Sequence, residues 1–111
     1  NLEGVHGGPI PGGSYPDDRS PFGCYDMAGN VAEWVAERAG PYPTAPAVDP
    51  QRPVKQRAPV VIRGGSFSLP AGMAKLTTRY AAYPTAVDGT RQDFGFRVAL
   101  SARPPRPPRS P

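Results

Sequence analysis

The chain has 111 residues, enough for one small domain, and its 13 glycines and 17 prolines disfavour long helices because proline removes a backbone donor and clashes inside a helix. The formal net charge is +4, but three of the positive charges lie in segment 101–111, so the rest of the chain is nearly neutral. No basic patch indicates nucleic-acid binding, and no apolar run is long enough to span a membrane. The composition therefore favours a loop-rich globular domain that binds neither nucleic acid nor a membrane.

The first third of the chain is rich in turns and contains one predicted helix. Gly-Pro, Pro-Gly, Pro-Asp and Ser-Pro pairs mark residues 1–21 as loops. The spacing of Ala, Glu, Trp and Val predicts a short helix over residues 30–38.

Cys24 is the only cysteine, which excludes an intrachain disulfide, and we expect it to be buried because free cysteine is among the most buried residue types. His6 lies among glycines and is expected on an exposed loop.

Three short strands are predicted after a proline-rich loop at 39–53. Val54 and the β-branched residues at 60–62 indicate the first strand, which ends at a Gly-Gly pair. Residues 76–83 predict the second strand, stopped by a proline. Residues 94–100 predict the third and clearest strand, because every second side chain is apolar.

The first candidate site is the turn between two carboxylates, Asp26 and Glu33, that bracket a Gly-Asn pair. Such a turn can bring both carboxylates together with backbone carbonyls, the mixture of oxygen ligands that calcium prefers. Asp26 could instead cap a short helix. Glu33 could instead be the buried partner of Arg63 or Arg97.

A second motif follows the first predicted strand and reads Arg-Gly-Gly-Ser-Phe at 63–67. Successive glycines indicate a positive φ or a close backbone approach, so we interpret the motif as a structural bend. A phosphate-binding loop is disfavoured because no Gly-x-Gly-x-x-Gly pattern and no Lys-Ser/Thr follow. Trp34 is expected to be a core residue, with a place in a ligand pocket as the alternative.

The stretch between Gly65 and Gly95 is the candidate recognition surface. It contains the aromatic, arginine and methionine side chains that are typical of recognition surfaces, and an ordinary hairpin is the alternative. The candidate ligand-binding residues are Phe67, Ser68, Leu69, Met73, Arg79, Tyr80, Tyr83 and Arg91.

Three separated motifs together resemble the formylglycine-generating enzyme, or sulfatase-modifying factor, family. They are residues 20–34, which end in Tyr-Asp-Met-Ala-Gly-Asn-Val-Ala-Glu-Trp, residues 61–67, which read Val-Ile-Arg-Gly-Gly-Ser-Phe, and residues 95–99, which read Gly-Phe-Arg-Val-Ala. The resemblance covers residues 1–100 and corresponds to the C-terminal part of a usual family domain. Residues 101–111 form a Pro/Arg-rich tail or linker, expected to be extended and without a core.

The resemblance implies an irregular α+β fold, a variant of the C-type-lectin-like fold, loop-rich with few short strands and one short helix. It also implies a calcium site at the positions that match Asp26, Gly29, Val31 and Glu33. The family enzyme uses two cysteines shortly after the Gly-Gly-Ser motif to bind copper, whereas residues 67–75 contain no cysteine. Serine at position 66 cannot replace a thiolate at copper, so copper chemistry is not expected.

Two functions of different classes follow from this resemblance. The first is a non-catalytic module that binds a protein or small-molecule ligand, or an accessory domain attached to a kinase, protease or other effector. The variable proteins of diversity-generating retroelements, which resemble this chain near its Gly-Phe-Arg motif, imply a recognition role of this kind. The second is a fragment of a metal-dependent oxidase, of the formylglycine-generating or sulfoxide-synthase type, completed by a missing N-terminal half or a partner chain.

Overall fold

A computed structural model of the chain describes residues 1–46, 58–84 and 92–100. Four strands form one mixed sheet: β1 (Ala32–Arg38), β2 (Val60–Arg63), β3 (Tyr80–Ala82) and β4 (Phe94–Gly95). The strand order is β3-β2-β1-β4, with β2 antiparallel to both of its neighbours and β4 parallel to β1. The remaining described backbone consists of turns and loops, apart from a 3-10 turn at Ala71–Met73. No helix in these ranges is long and apolar enough to cross a membrane.

The helix predicted over residues 30–38 is wrong, because this segment forms β1. Trp34 pairs with Ile62 of β2, and a register shift follows before Arg38 pairs with Val60. Asn30 has a φ of 62°, in the left-handed region, so a right-handed helix cannot begin there. Valine and tryptophan also favour a pleated surface, so pairing with β2 outweighs the local helical spacing.

The predicted strands are present, but two of them are shorter than expected. The strand at 60–62 is confirmed as the body of β2, while Val54 lies outside the described residues. Only Tyr80–Ala82 of the segment 76–83 pairs as a strand. Only Phe94–Gly95 of the segment 94–100 does so, and residues 96–100 continue without a turn or bend. The alternating apolar side chains of that continuation are exposed, to 97% at Leu100.

The core between the sheet and its loops is small. Its buried apolar side chains are Ala32, Val60, Val61, Ile62 and Ala74. Buried Asn30 attaches the N-terminal loop to this core: its Oδ1 accepts hydrogen bonds from the Ile10 amide (2.9 Å) and from the side chain of Asn1 (3.2 Å). Its Nδ2 donates to the Ile10 carbonyl (3.0 Å), so all of the polar side-chain atoms of Asn30 have partners.

Cys24 is exposed, so the prediction that it is buried is wrong. It lies in a tight turn in which the Ser20 amide donates to the Cys24 carbonyl (2.8 Å) and the Ser20 hydroxyl accepts from the Cys24 amide (3.0 Å). The turn has little contact with the core, since the neighbouring Phe22 is 93% exposed. His6 is exposed, as predicted, and its ring contacts the Tyr15 hydroxyl at 2.8 Å.

Candidate functional site

The turn that leads from Tyr25 into β1 is held in an uncommon backbone conformation. Asp26, Gly29 and Asn30 all have positive φ values, of 55°, 83° and 62°. The Gly29 amide donates to the Gly64 carbonyl (2.7 Å), and the Asn30 amide donates to the Asn1 carbonyl (2.8 Å). The turn is therefore fixed to the end of β2 on one side and to the N-terminal loop on the other.

Arg97 connects this turn to the start of β1. Its guanidinium donates two bonds to the Glu33 carboxylate, one of them from Nε at 2.6 Å, and one bond each to the carbonyls of Tyr25 and Asp26 at 3.1 Å. The hydrogen bonds to Glu33 raise the pKa of Arg97 above its ordinary value, so the arginine keeps its charge throughout the neutral pH range. Of the two partners that the sequence offers to Glu33, the structure selects Arg97.

Asp26 does not cap a helix, because a strand follows the turn. Its Oδ2 accepts a hydrogen bond from the Gly13 amide at 2.7 Å, which fixes the carboxylate against the N-terminal loop. Asp26 and Glu33, the residues whose carboxylates were predicted as ligands, lie in one cluster around Arg97, which bonds the carboxylate of Glu33 and the backbone carbonyl of Asp26.

The donor set of this cluster is chemically suited to calcium. It offers two carboxylates and backbone carbonyls, and each ionised carboxylate has about four acceptor positions, of which Gly13 and Arg97 use only part. The residues that would hold the ion are Asp26, Gly29, Val31 and Glu33. Within the described ranges no group of three or more His, Cys, Asp or Glu side chains could hold a metal, so carbonyl oxygens would have to complete such a site.

A cleft of about 290 Å³ opens beside Ser66, on the opposite face of the sheet from Glu33. Ser66 is almost fully buried, and its hydroxyl lies 2.9 Å from that of Ser68. Three of the predicted ligand-binding residues, Ser68, Leu69 and Tyr80, line this cleft. The other residues that line the cleft beside Ser66 were not predicted individually, and they come from all four strands and one loop: Ala32, Ile62, Ala81, Ala82, Asp93 and Phe94.

The other predicted ligand-binding residues lie elsewhere. Phe67 lines a separate shallow hollow, beside Glu3 of the N-terminal loop. Met73 and Tyr83 are exposed, and Arg91 lies outside the described residues.

Arg79, another of the predicted ligand-binding residues, does not line the Ser66 cleft. It forms a salt bridge with Glu37 at 3.0 Å, donates to the Gly40 carbonyl at 3.1 Å and stacks its guanidinium over the Tyr42 ring at 4.3 Å. These contacts assign Arg79 to the support of the loop that follows β1, away from the cleft.

Trp34 was predicted to be a core residue, with a place in a ligand pocket as the alternative. Its side chain is half-buried. It makes an edge-to-face contact with Phe94 of β4, with 5.4 Å between the ring centroids and 69° between the planes. This contact fastens the parallel edge strand to β1.

The predicted bend at the Arg-Gly-Gly-Ser motif is present. Gly64 and Gly65 have φ values of 87° and 72°, in the region that favours glycine. The bend delivers Ser66 into the buried position beside the cleft, and the Phe67 amide then donates to the Asn30 carbonyl at 2.8 Å.

Comparison with known proteins identifies the family. Residues 6–102 match the family model described as the Sulfatase-modifying factor enzyme 1-like domain. The chain is also 36% identical over 89 residues to "Serine/threonine-protein kinase pkn1" of Chlamydia pneumoniae, an alignment that covers 78% of this chain and 14% of the kinase. No solved structure matches the chain significantly. Because the family model covers most of its length, the chain belongs to the sulfatase-modifying factor family.

Proposed function

We propose that the chain is a non-catalytic binding or accessory module on a variant C-type-lectin-like scaffold. Residues 1–100 would form the C-terminal part of the family domain, and residues 101–111 a linker or tail. The observation that carries the proposal is the chemistry beside the Gly-Gly-Ser bend: the polar side chains there are the paired hydroxyls of Ser66 and Ser68, and the single cysteine lies on the exposed turn at Cys24. Hydroxyls are poor ligands for copper, whereas they suit hydrogen bonding to a ligand.

The cleft beside Ser66 is the proposed ligand-binding site. Its walls combine the apolar side chains of Ile62, Leu69 and Phe94 with the hydroxyls of Ser68 and Tyr80, the mixture found in sites that bind small molecules or peptide side chains. The ligand would be a protein segment or a small molecule.

The kinase relative supports the accessory form of the proposal. The matched region is a small part of that protein, which bears the name of a serine/threonine kinase. A domain of this kind attached to an effector would select or position the effector's targets, and no kinase activity is inferred for the present chain.

The proposal is tested against the oxidase alternative by turnover. With the full-length protein, which would supply any N-terminal half that the oxidase alternative requires, and with copper or separately iron and a cysteine-containing peptide, we expect no oxygen consumption above that of metal and peptide without protein, because residues 67–75 offer no thiolate pair to hold copper. The C24S variant is the matched control, since any metal-thiol background from the exposed cysteine should disappear in it. Protein-dependent turnover that persists in C24S would establish the oxidase reading instead.

Calcium is proposed as a stabilising ion at the turn of Asp26, Gly29, Val31 and Glu33. Calcium would bring two positive charges beside the single charge of Arg97, and the carboxylates of Asp26 and Glu33 would offset two of these three charges. Its role would be to hold the turn in the conformation from which β1 starts. An ion that binds only the folded state stabilises that state by mass action.

Calcium is expected to raise the thermal midpoint of the chain. At a free concentration about tenfold above Kd, the stabilisation is about 1.4 kcal/mol, which corresponds to roughly 6–11 °C for a domain of this size. Asp26→Asn keeps the acceptor for the Gly13 amide but removes the charge, so the calcium effect should be lost. Asp17→Asn, at an exposed position outside the cluster, should leave it intact. Equal midpoints of the unsubstituted protein in calcium and in chelator would refute the site.

A further inference from the structure

A second cavity is lined by β1, the end of β2 and the segment that follows β4. Its volume is about 570 Å³, within the range of about 300–1,000 Å³ typical of small-molecule sites. None of the residues that line this cavity, among them Glu33, Trp34 and Arg63, lines the Ser66 cleft. The cavity is therefore separate from the site of the proposed function.

The walls of this cavity are largely apolar. Met27, Val35, Ala36, Leu76 and Ala99 line it, together with Trp34. Leu76 is 57% exposed, so an apolar ligand body would cover surface that water now contacts. Removing such surface from water contributes about 25 cal/mol for each Å² buried.

The charged side chains that line the cavity differ in whether they have an ion-pair partner. Arg97 and Glu33 form a two-pronged ion pair, so neither has its full charge available to a ligand. The guanidinium of Arg63 donates only to neutral oxygens, at 3.2 Å to the Leu76 carbonyl and 3.3 Å to the Tyr42 hydroxyl. Within residues 1–46, 58–84 and 92–100, no carboxylate forms an ion pair with Arg63.

We infer that this cavity binds a small carboxylate carried on an apolar body. The carboxylate would meet the Arg63 guanidinium, whose fork of parallel donors matches two carboxylate oxygens, and the apolar body would lie against Trp34, Val35 and Leu76. One arginine without an ion-pair partner among the described residues matches a single negative charge. The same chemistry is presented by a free arylalkyl acid and by the C-terminal carboxylate of a peptide that ends in an apolar residue.

Trp34 provides a direct measurement, because it is the only tryptophan in the chain and lines the cavity. Its fluorescence would be titrated with 3-phenylpropionate and with the neutral 3-phenylpropanamide, and in parallel with acetyl-Ala-Phe and its C-terminal amide. We expect each acid to bind at least about tenfold more tightly than its amide, a difference of about 1.4 kcal/mol, because only the acid pairs with Arg63. The acid that binds more tightly identifies the source of the carboxylate.

Arg63→Gln should remove the preference for acid over amide, and Arg63→Lys should restore part of it. Arg38→Gln is the matched control, because it removes an exposed arginine from the same sheet and should leave both affinities unchanged. The comparison of acid with amide in the unsubstituted protein does not depend on how any variant folds. Equal affinities for acid and amide, no fluorescence response to either, or a preference that persists in Arg63→Gln would each overturn the inference.

Discussion

Replacing Gly65 by alanine is expected to lower the free energy of unfolding by about 3 kcal/mol. Gly65 has a φ of 72°, and the left-handed region costs an L-residue about 1–2 kcal/mol. A Cβ at this position would also lie 2.9 Å from both Cα and Cβ of buried Ala74, and such overpacking costs about 1–3 kcal/mol. The contacted atoms have no side-chain torsion that could move them away, so the backbone after β2 must shift. Urea unfolding followed by Trp34 fluorescence measures the change.

Two other glycines separate the two causes. Gly4 also has a positive φ, of 69°, but a Cβ there meets nothing within 4 Å, so Gly4→Ala should cost about 1 kcal/mol for the backbone alone. Gly72 has neither a positive φ nor a near neighbour, and Gly72→Ala should change the stability by no more than about 0.5 kcal/mol. If Gly65→Ala costs no more than Gly4→Ala, the contact with Ala74 is not tight.

The bend at Gly65 shows which part of the fold was accessible to sequence reasoning. Two glycines after a β-branched run predict a bend, and the bend is present. The partner that makes it tight, Ala74, could not be predicted, because an alanine nine residues later carries no signal of its own. The same limit explains the error over residues 30–38: local spacing cannot reveal that Trp34 will pair with Ile62, across a separation of 28 positions.

The candidate cluster at Asp26 and Glu33 was only partly predictable. Two carboxylates around a Gly-Asn pair predicted a turn that brings them together, while the choice between Arg63 and Arg97 as the partner of Glu33 required the sheet. Arg63 lies opposite Glu33 across β1 and β2, yet its guanidinium reaches Tyr42 and Leu76 instead. Gly95 lies beside Glu33 in the parallel pair, and Arg97 follows two residues later on the same face.

The recognition surface between Gly65 and Gly95 was predicted from its aromatic, arginine and methionine content. Such content does not tell which side chains of the stretch lie together in the folded chain. Ser68, Leu69 and Tyr80 reach the Ser66 cleft, whereas Arg79, next to Tyr80 in the chain, points to Glu37 and Tyr42. Arg79 precedes β3, and a short strand with an uncertain start gives no register from the sequence alone.

Arg97→Ala is expected to destabilise the chain by about 2–3 kcal/mol. The substitution removes four hydrogen bonds and leaves Glu33, whose side chain is 21% exposed, without its counter-charge. Loss of a fully buried partner would cost about 3–5 kcal/mol, and the 36% exposure of the Arg97 side chain lowers this value because water screens the pair. Arg38→Ala, an exposed arginine on β1, is the control and should change the stability by less than about 0.5 kcal/mol.

A double-mutant cycle separates the contribution of the ion pair from that of the carbonyl bonds. Glu33→Gln removes the pair but leaves Arg97 bonded to the carbonyls of Tyr25 and Asp26, so it should cost less than Arg97→Ala. The coupling energy between the two positions should be about 1 kcal/mol, and the rest of the Arg97→Ala effect would belong to the two carbonyls. The cycle is measured in chelator, so that calcium cannot contribute through Glu33. A coupling energy near zero would mean that the pair adds nothing and that Arg97 acts only by holding the turn through its carbonyls.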